Sequence, residues 1–86
     1  MVENSQWCLY IIKCKDGKLY TGITNDLKRR IGQHNRSQGC RFTKFRIPVT
    51  LVYKEVYSSK ESVLKREAEI KGWKKDRKLA LIAKKG

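Results

Sequence analysis

An Asp-Gly pair at positions 16–17 lies between two apolar runs, and this feature most limits how the chain can fold. The first run is Trp7-Cys8-Leu9-Tyr10-Ile11-Ile12, the heart of a strand expected over residues 7–14. The second is Leu19-Tyr20-Thr21-Gly22-Ile23. Short apolar runs joined by Asp-Gly predict a β-hairpin. Two registers fit. A two-residue loop pairs Lys15 with Lys18 and sends Tyr10 and Tyr20 to opposite faces. A three-residue loop, with Gly17 left-handed in a bulge, pairs Cys14 with Lys18 and puts both tyrosines on one face. The second register is preferred, because the chemistry developed below needs the tyrosines together.

Asn25 or Thr24 is positioned to cap a helix over residues 26–36. Measured from Leu27 at about 100° per residue, Ile31 falls at about +40°, His34 at about −20° and Arg30 at about −60°. Arg30 and His34 therefore lie on or beside the apolar stripe, while Lys28, Arg29 and Gln33 point away. Residues 36–48 form a long connection in which Arg36, Arg41, Lys44 and Arg46 alternate with Phe42 and Phe45. Basic and aromatic side chains together suit a nucleic-acid contact loop. Equally, the phenylalanines can anchor the loop on the core with the charges solvated.

Val49 to Val56 reads as a third strand. Ser58 and Glu61, at capping-box spacing, open a helix over 60–72. Its apolar arc is Val63, Leu64 and Ile70, and Glu67 falls within that arc at about +40° from Val63. Gly72-Trp73 ends the helix, and Asp76 can cap a last one carrying Leu79, Leu81 and Ile82. The order β-β-α-β-α-α predicts a single domain of the α/β class, α+β in type, spanning residues 1–86 with its core over about 7–82. A small three-stranded antiparallel sheet is flanked by helices. Residues 1–5 read as a polar lead-in.

The charge balance narrows the partners. Twenty-one Lys and Arg against 8 Asp and Glu leave a net charge of +13 on 86 residues. Such an excess destabilises a compact monomer and is commonly offset by a polyanion. An amphipathic membrane-surface helix is disfavoured, because the basic residues are spread over several elements. No run approaches the roughly 18 apolar residues of a membrane span, and Met1-Val2-Glu3-Asn4 is unlike a signal peptide. A cytoplasmic protein is expected. Three cysteines without CxxC spacing and a single histidine argue against structural zinc.

One inward guanidinium, Arg30, and one inward carboxylate, Glu67, accompany His34 and the two tyrosines. A buried Arg30–Glu67 pair, or a Glu67–Lys71 pair one turn apart, would explain them structurally. Phosphodiester hydrolysis would explain them chemically. A carboxylate holds a hard divalent metal, and the metal polarises the phosphate. An arginine matches the charge developing on the phosphoryl oxygens. A tyrosine or histidine takes the proton of an attacking water.

These residues at this spacing resemble the GIY-YIG nuclease domain, in particular its small stand-alone members, over about Trp7 to Ile82. Cys8-Leu9-Tyr10 stands for the first motif and Tyr20-Thr21-Gly22 for the second, with Cys for the first Gly and Thr for the second Ile. Asn25-Asp26-Leu27-Lys28-Arg29-Arg30 is similar to the segment carrying the family's essential arginine. Arg66-Glu67-Ala68-Glu69-Ile70-Lys71 is similar to its metal-binding helix. The resemblance implies an endonuclease that uses one Mg²⁺ or Mn²⁺ on Glu67 to cleave DNA by in-line attack of water, in repair or recombination. Tyr10 is then the general base or its helper, Tyr20 positions water or phosphate, Arg30 stabilises the transition state, and His34 handles a proton or contacts phosphate. The chain departs from the family in having no asparagine after Asn35, and Ile23 where some members carry lysine. No separate DNA-binding module is expected beside the domain, so targeting would fall to its own charge, to Arg36, Arg41, Lys44 and Arg46, to a homodimer or to a partner protein. The alternative is a catalytically silent nucleic-acid-binding module.

Overall fold

The computed structural model describes residues 6–85; the lead-in of residues 1–5 lies outside them. Six elements follow in the expected order: β1 (Trp7–Lys13), β2 (Leu19–Thr24), α1 (Leu27–Asn35), β3 (Thr50–Tyr57), α2 (Lys60–Lys71) and α3 (Lys75–Lys85). The strands form one antiparallel sheet in the order β2-β1-β3. The hairpin adopts the three-residue loop: Ile12 faces Tyr20 and Tyr10 faces Gly22. Gly17 has φ +88°, a left-handed conformation that costs a glycine little. The Cys14 N–H donates to the Lys18 carbonyl at 2.8 Å and closes the loop.

Alternation along each strand gives the sheet two buried faces. On one, Leu9, Ile11 and Tyr53 pack against Val63 and Ile70 of α2, with Leu81 and Ile82 of α3 behind them. On the other, Tyr10, Ile12, Cys14 and Val49 pack beneath Leu27 and Ile31 of α1. The central strand is covered on both sides, which is why its sequence is apolar without alternation. Leu64 and Leu79, expected in apolar arcs, are instead exposed.

The helix caps differ from expectation by a residue or two, while α2 begins at Lys60 as expected. Asp26, rather than Asn25 or Thr24, caps α1, accepting a hydrogen bond from Arg29 N at 3.2 Å. Thr24 orders that cap by accepting from Asp26 N at 3.0 Å. Ser59, rather than Ser58, caps α2 through Ser62 N at 3.1 Å. Asp76 lies inside the first turn of α3 and not at its cap.

Helix α2, which carries Glu67, is fixed to β3 by an ion pair. Arg66 Nε and Nη2 reach the two oxygens of Glu55 at 3.0 and 3.1 Å, and the Tyr53 and Tyr57 hydroxyls donate to the same carboxylate. Burial works to raise the Glu55 carboxyl, but these hydrogen bonds, Arg66 foremost, outweigh it and hold it below the usual range. Trp73 lies against both Arg66 and Arg77, with centroid distances of 5.3 and 4.0 Å. This latch sets the height and rotation of the turn that bears Glu67.

Thr21 faces the α2 side opposite Ile11 and is 2% exposed. Among the described residues, its Oγ1 is the buried side-chain oxygen without a hydrogen-bond partner. Leaving such a hydroxyl unpaired costs about 1–3 kcal/mol. Thr21→Val is therefore expected to raise the denaturant midpoint, by about 1 kcal/mol in stability. A midpoint that fell would show that the hydroxyl is satisfied.

Candidate active site

The hairpin register places Tyr10 and Tyr20 on the α1 face of the sheet, ring centroids 6.5 Å apart. Helix α1 crosses above them and brings His34 against both, at 5.9 and 5.5 Å. His34 is 0% exposed, and both of its ring nitrogens are bonded. Nε2 lies 2.9 Å from the Tyr10 hydroxyl and Nδ1 lies 2.8 Å from Thr43 Oγ1. Thr43 Oγ1 in turn donates to the Cys40 carbonyl at 3.4 Å. That direction assigns the proton to Nδ1 and leaves Nε2 to accept from Tyr10.

Arg30, one turn before His34, points its guanidinium into the same cluster. Nε donates to the Tyr10 hydroxyl at 3.4 Å, Nη1 to Gln33 Oε1 at 3.0 Å and Nη2 to the Gly39 carbonyl at 2.9 Å. All three acceptors are neutral. A single donor chain thus runs Arg30 → Tyr10 → His34 → Thr43 → Cys40 carbonyl, and it crosses β1, α1 and the loop. Two glycines make room for it. A Cβ at Gly22 would sit 2.5 Å from the Tyr10 hydroxyl, and one at Gly39 would sit 2.1 Å from His34 Nδ1.

Glu67 points inward from α2, as its helical position implies, with its side chain 17% exposed. Its ion pair is with Lys71 at 3.1 Å and not with Arg30. The Lys71 ammonium lies 5.8 Å from the Tyr20 ring centre, so the Glu67–Lys71 turn borders the tyrosine cluster. The donor set fits one hard divalent ion: Mg²⁺ binds through one or two carboxylates and takes its other ligands from water and substrate phosphate. No cluster of three or more His, Cys, Asp or Glu is present among the described residues, so Glu67 is the protein ligand to consider.

Environment separates the titrating groups. Burial lifts the Tyr10 hydroxyl above its ordinary value despite the opposing hydrogen bond and charge of Arg30; the charge of Glu67 adds a smaller push in the same direction. Burial, then the Cys40 thiol, raises Tyr20 further. Burial, then the charge of Arg30, lowers His34. Both tyrosines are neutral phenols near neutral pH, and His34 is a neutral imidazole. Burial works to raise the Cys40 thiol, but hydrogen bonds from Thr43 and Tyr20 leave it below its ordinary value.

The structure therefore gathers Tyr10, Tyr20, Arg30 and His34 in one network and sets Glu67 at its border. Tyr10 is 1% exposed; Tyr20, Arg30 and Glu67 are the partly open members. Of the loop cations, Arg36, Arg41 and Lys44 are exposed. Arg46 is occupied within the fold: it pairs with Asp16 at 3.1 Å, donates to the Phe42 carbonyl at 2.6 Å and covers the Phe42 ring at 4.5 Å. Phe42 stacks on Tyr20 at 5.6 Å, so it anchors the loop, while Phe45 stands 85% exposed. Sequence reasoning missed Thr43, Gly39 and Gln33, which hold His34 and Arg30. Thr43 and Gly39 sit in a segment without periodicity, so nothing marked them; Gln33, expected to point away from the apolar stripe of α1, is instead half-buried and accepts from Arg30.

The comparisons with known proteins converge on one family of small α+β domains. The model of the GIY-YIG catalytic domain matches residues 6–80, and the chain belongs to that family, which includes nucleases. A UPF0213 protein of Staphylococcus saprophyticus is 52% identical over 75 residues, covering 87% of this chain and 92% of that protein. A UPF0213 protein of Staphylococcus aureus strain Mu3 is 53% identical over 74 residues, covering 86% and 90%. The solution NMR structure of a UPF0213 protein from Bacillus halodurans matches with a TM-score of 0.63 and 38% identity, over 94% of this chain and 86% of that one.

His34 gives a pH signature. It is neutral in the folded state below its ordinary pKa of about 6.5, so in mild acid the unfolded chain binds a proton that the folded chain does not. Its contribution is full above about pH 6.5 and is lost as the pH falls toward the depressed folded value. The thermal midpoint is expected to drop as the pH falls below about 6.5, and His34→Gln should flatten that drop. Equal pH dependence in both proteins would contradict the neutral, doubly bonded imidazole.

Proposed function

We propose that this protein is a single-domain, divalent-metal-dependent endonuclease that hydrolyses DNA phosphodiester bonds. The observation that carries the reading is the state of Arg30. Its guanidinium is held at three points by neutral oxygens, beside two tyrosines, and among the described residues no carboxylate pairs with it. Holding a cation this way costs desolvation without a pairing return. It suits a group waiting for an anion, and a phosphodiester provides one.

In this reading, Arg30 and the open side of Tyr20 meet the phosphoryl oxygens. Glu67 would hold Mg²⁺ or Mn²⁺, which supplies Lewis-acid polarisation of the phosphate and stabilises the leaving oxygen. The oxygen of the attacking water bonds to phosphorus as the ester P–O bond breaks. A neutral phenol is a poor base unless it can pass its own proton on. The donor chain gives Tyr10 that route: its hydroxyl accepts the water proton while releasing its own to His34 Nε2. The lowered His34 pKa keeps Nε2 available to receive it. His34 acts through Tyr10 and not on the phosphate, since both of its nitrogens face protein. Nucleic acid is the partner the charge of +13 favours, with Arg36, Arg41 and Lys44 as loop contacts. No helix among the described residues is long and apolar enough to cross a membrane. Repair or recombination is the setting we assign, in the cytoplasm.

One observation favours a catalytically silent binding module instead: Glu67 is already paired with Lys71, and Tyr10 is almost wholly covered. A nicking assay separates the two. Supercoiled and branched DNA are incubated with the protein in Mg²⁺, in Mn²⁺ and in EDTA. Cutting is expected with metal only, lost in Glu67→Gln and reduced roughly 10²–10³-fold in Arg30→Lys. Binding without cutting on either DNA in either metal would put the silent module first.

A further inference from the structure

A second basic feature lies outside the tyrosine cluster. The hairpin turn and the start of α3 enclose a cleft of about 220 Å³ lined by Lys18, Leu19, Phe42, Lys75 and Lys78. Three ammonium groups and, among the described residues, no carboxylate line it. The nearest acid of the turn, Asp16, is taken up by Arg46 at 3.1 Å. The cleft is built and not merely a gathering of loose lysines: Lys75 Nζ donates to the Gly17 carbonyl at 3.0 Å, which ties α3 to the hairpin across the sequence. Its aromatic wall, Phe42, is the residue stacked on Tyr20. Lys71, the last residue of α2, has its ammonium 5.8 Å from the centre of the Tyr20 ring.

Holding three like charges around one small cavity costs repulsion, and only an anionic partner returns it. Lysines act on phosphate as point charges without demanding bidentate geometry, which suits successive phosphates of a flexible strand. We infer that this cleft binds the phosphodiester backbone of the nucleic-acid strand on one side of the reacting bond, with Lys18, Lys75 and Lys78 each placed on a phosphate. The inference rests on the nuclease reading for the position of the reacting bond, but its measurement does not depend on cutting.

Each phosphate contact contributes about 0.9 to the slope of log affinity against log salt on duplex DNA. Binding of a fluorescent DNA duplex is measured by anisotropy in EDTA over a salt series. Three proteins are compared: wild type, the variant Lys18→Gln, Lys75→Gln, Lys78→Gln, and a control of equal charge, Lys54→Gln, Lys65→Gln, Lys84→Gln. Circular dichroism verifies that both variants fold. The slope is expected to fall by about 2–3 in the cleft variant and by less than about 1 in the control. Equal falls in both variants would overturn the cleft in favour of a diffuse positive field, and no fall in the cleft variant would overturn it outright. Binding of the wild type to anionic lipid vesicles but not to DNA would also overturn it. Because the series is run without metal, its result stands apart from the nicking assay, which alone decides the nuclease reading.

Discussion

The imidazole of His34, bonded at both nitrogens, is the interaction on which the rest of the site depends. One bond reaches Tyr10 on the central strand and the other reaches Thr43 in the long loop, so a single buried ring joins sheet, helix and loop. Leaving either nitrogen unpaired in that interior would cost a hydrogen bond's desolvation. The geometry is therefore strict: the hairpin must put Tyr10 on the α1 face, Gly39 must lack a side chain, and the loop must return Thr43 to the ring. The loop is held to that path at further points. Asn35 exchanges hydrogen bonds with both backbone groups of Val49, Ser37 Oγ donates to the Lys44 carbonyl, and Lys15 N donates to the Arg46 carbonyl. Each of these contacts keeps residues 36–49 folded onto the cluster without a helix or strand of their own.

The two faces of the sheet contribute different chemistry. The α1 face supplies the proton-bearing groups and the arginine, all hydrogen-bonded in one direction. The α2 face supplies the carboxylate, positioned by the Arg66–Glu55 latch one residue away from Glu67. A hydrolytic site needs both a cation and an anion, and neighbouring them directly would neutralise each. Here they are kept apart by separate partners: Arg30 is bound to neutral oxygens and Glu67 to Lys71. Of the two pairs that a structural reading offers, Arg30–Glu67 is absent and Glu67–Lys71 is present, so among the described residues Arg30 is the charge left without a carboxylate.

Much of this was legible in the sequence, for physical reasons that can be named. The period of 3.6 in α1 and α2 fixes which side chains share a face, so the inward placement of Arg30, His34 and Glu67 followed from counting. The hairpin register was harder, because Asp-Gly admits two loops, and only the need to bring the tyrosines together chose between them. Caps went astray by a residue or two where several competent residues adjoin, as at Thr24-Asn25-Asp26 and Ser58-Ser59. The loop was least legible. Thr43 and Gly39 matter because of one ring packed against them, and no local pattern records a contact made across nine or five residues of irregular chain. Arg46 illustrates the converse. Composition placed it with the outward cations, but its guanidinium closes the loop on Asp16 and Phe42.

Because His34 is the sole histidine in the chain, its imidazole can be followed as one isolated set of NMR signals. A ¹⁵N titration of the ring tests most directly whether the Tyr10–His34–Thr43 network exists as described. The account predicts a neutral ring protonated at Nδ1, with its titration displaced below the ordinary value of about 6.5, and an altered Nε2 shift in Tyr10→Phe. A ring that titrates near 6.5, or one indifferent to the loss of the Tyr10 hydroxyl, would contradict it.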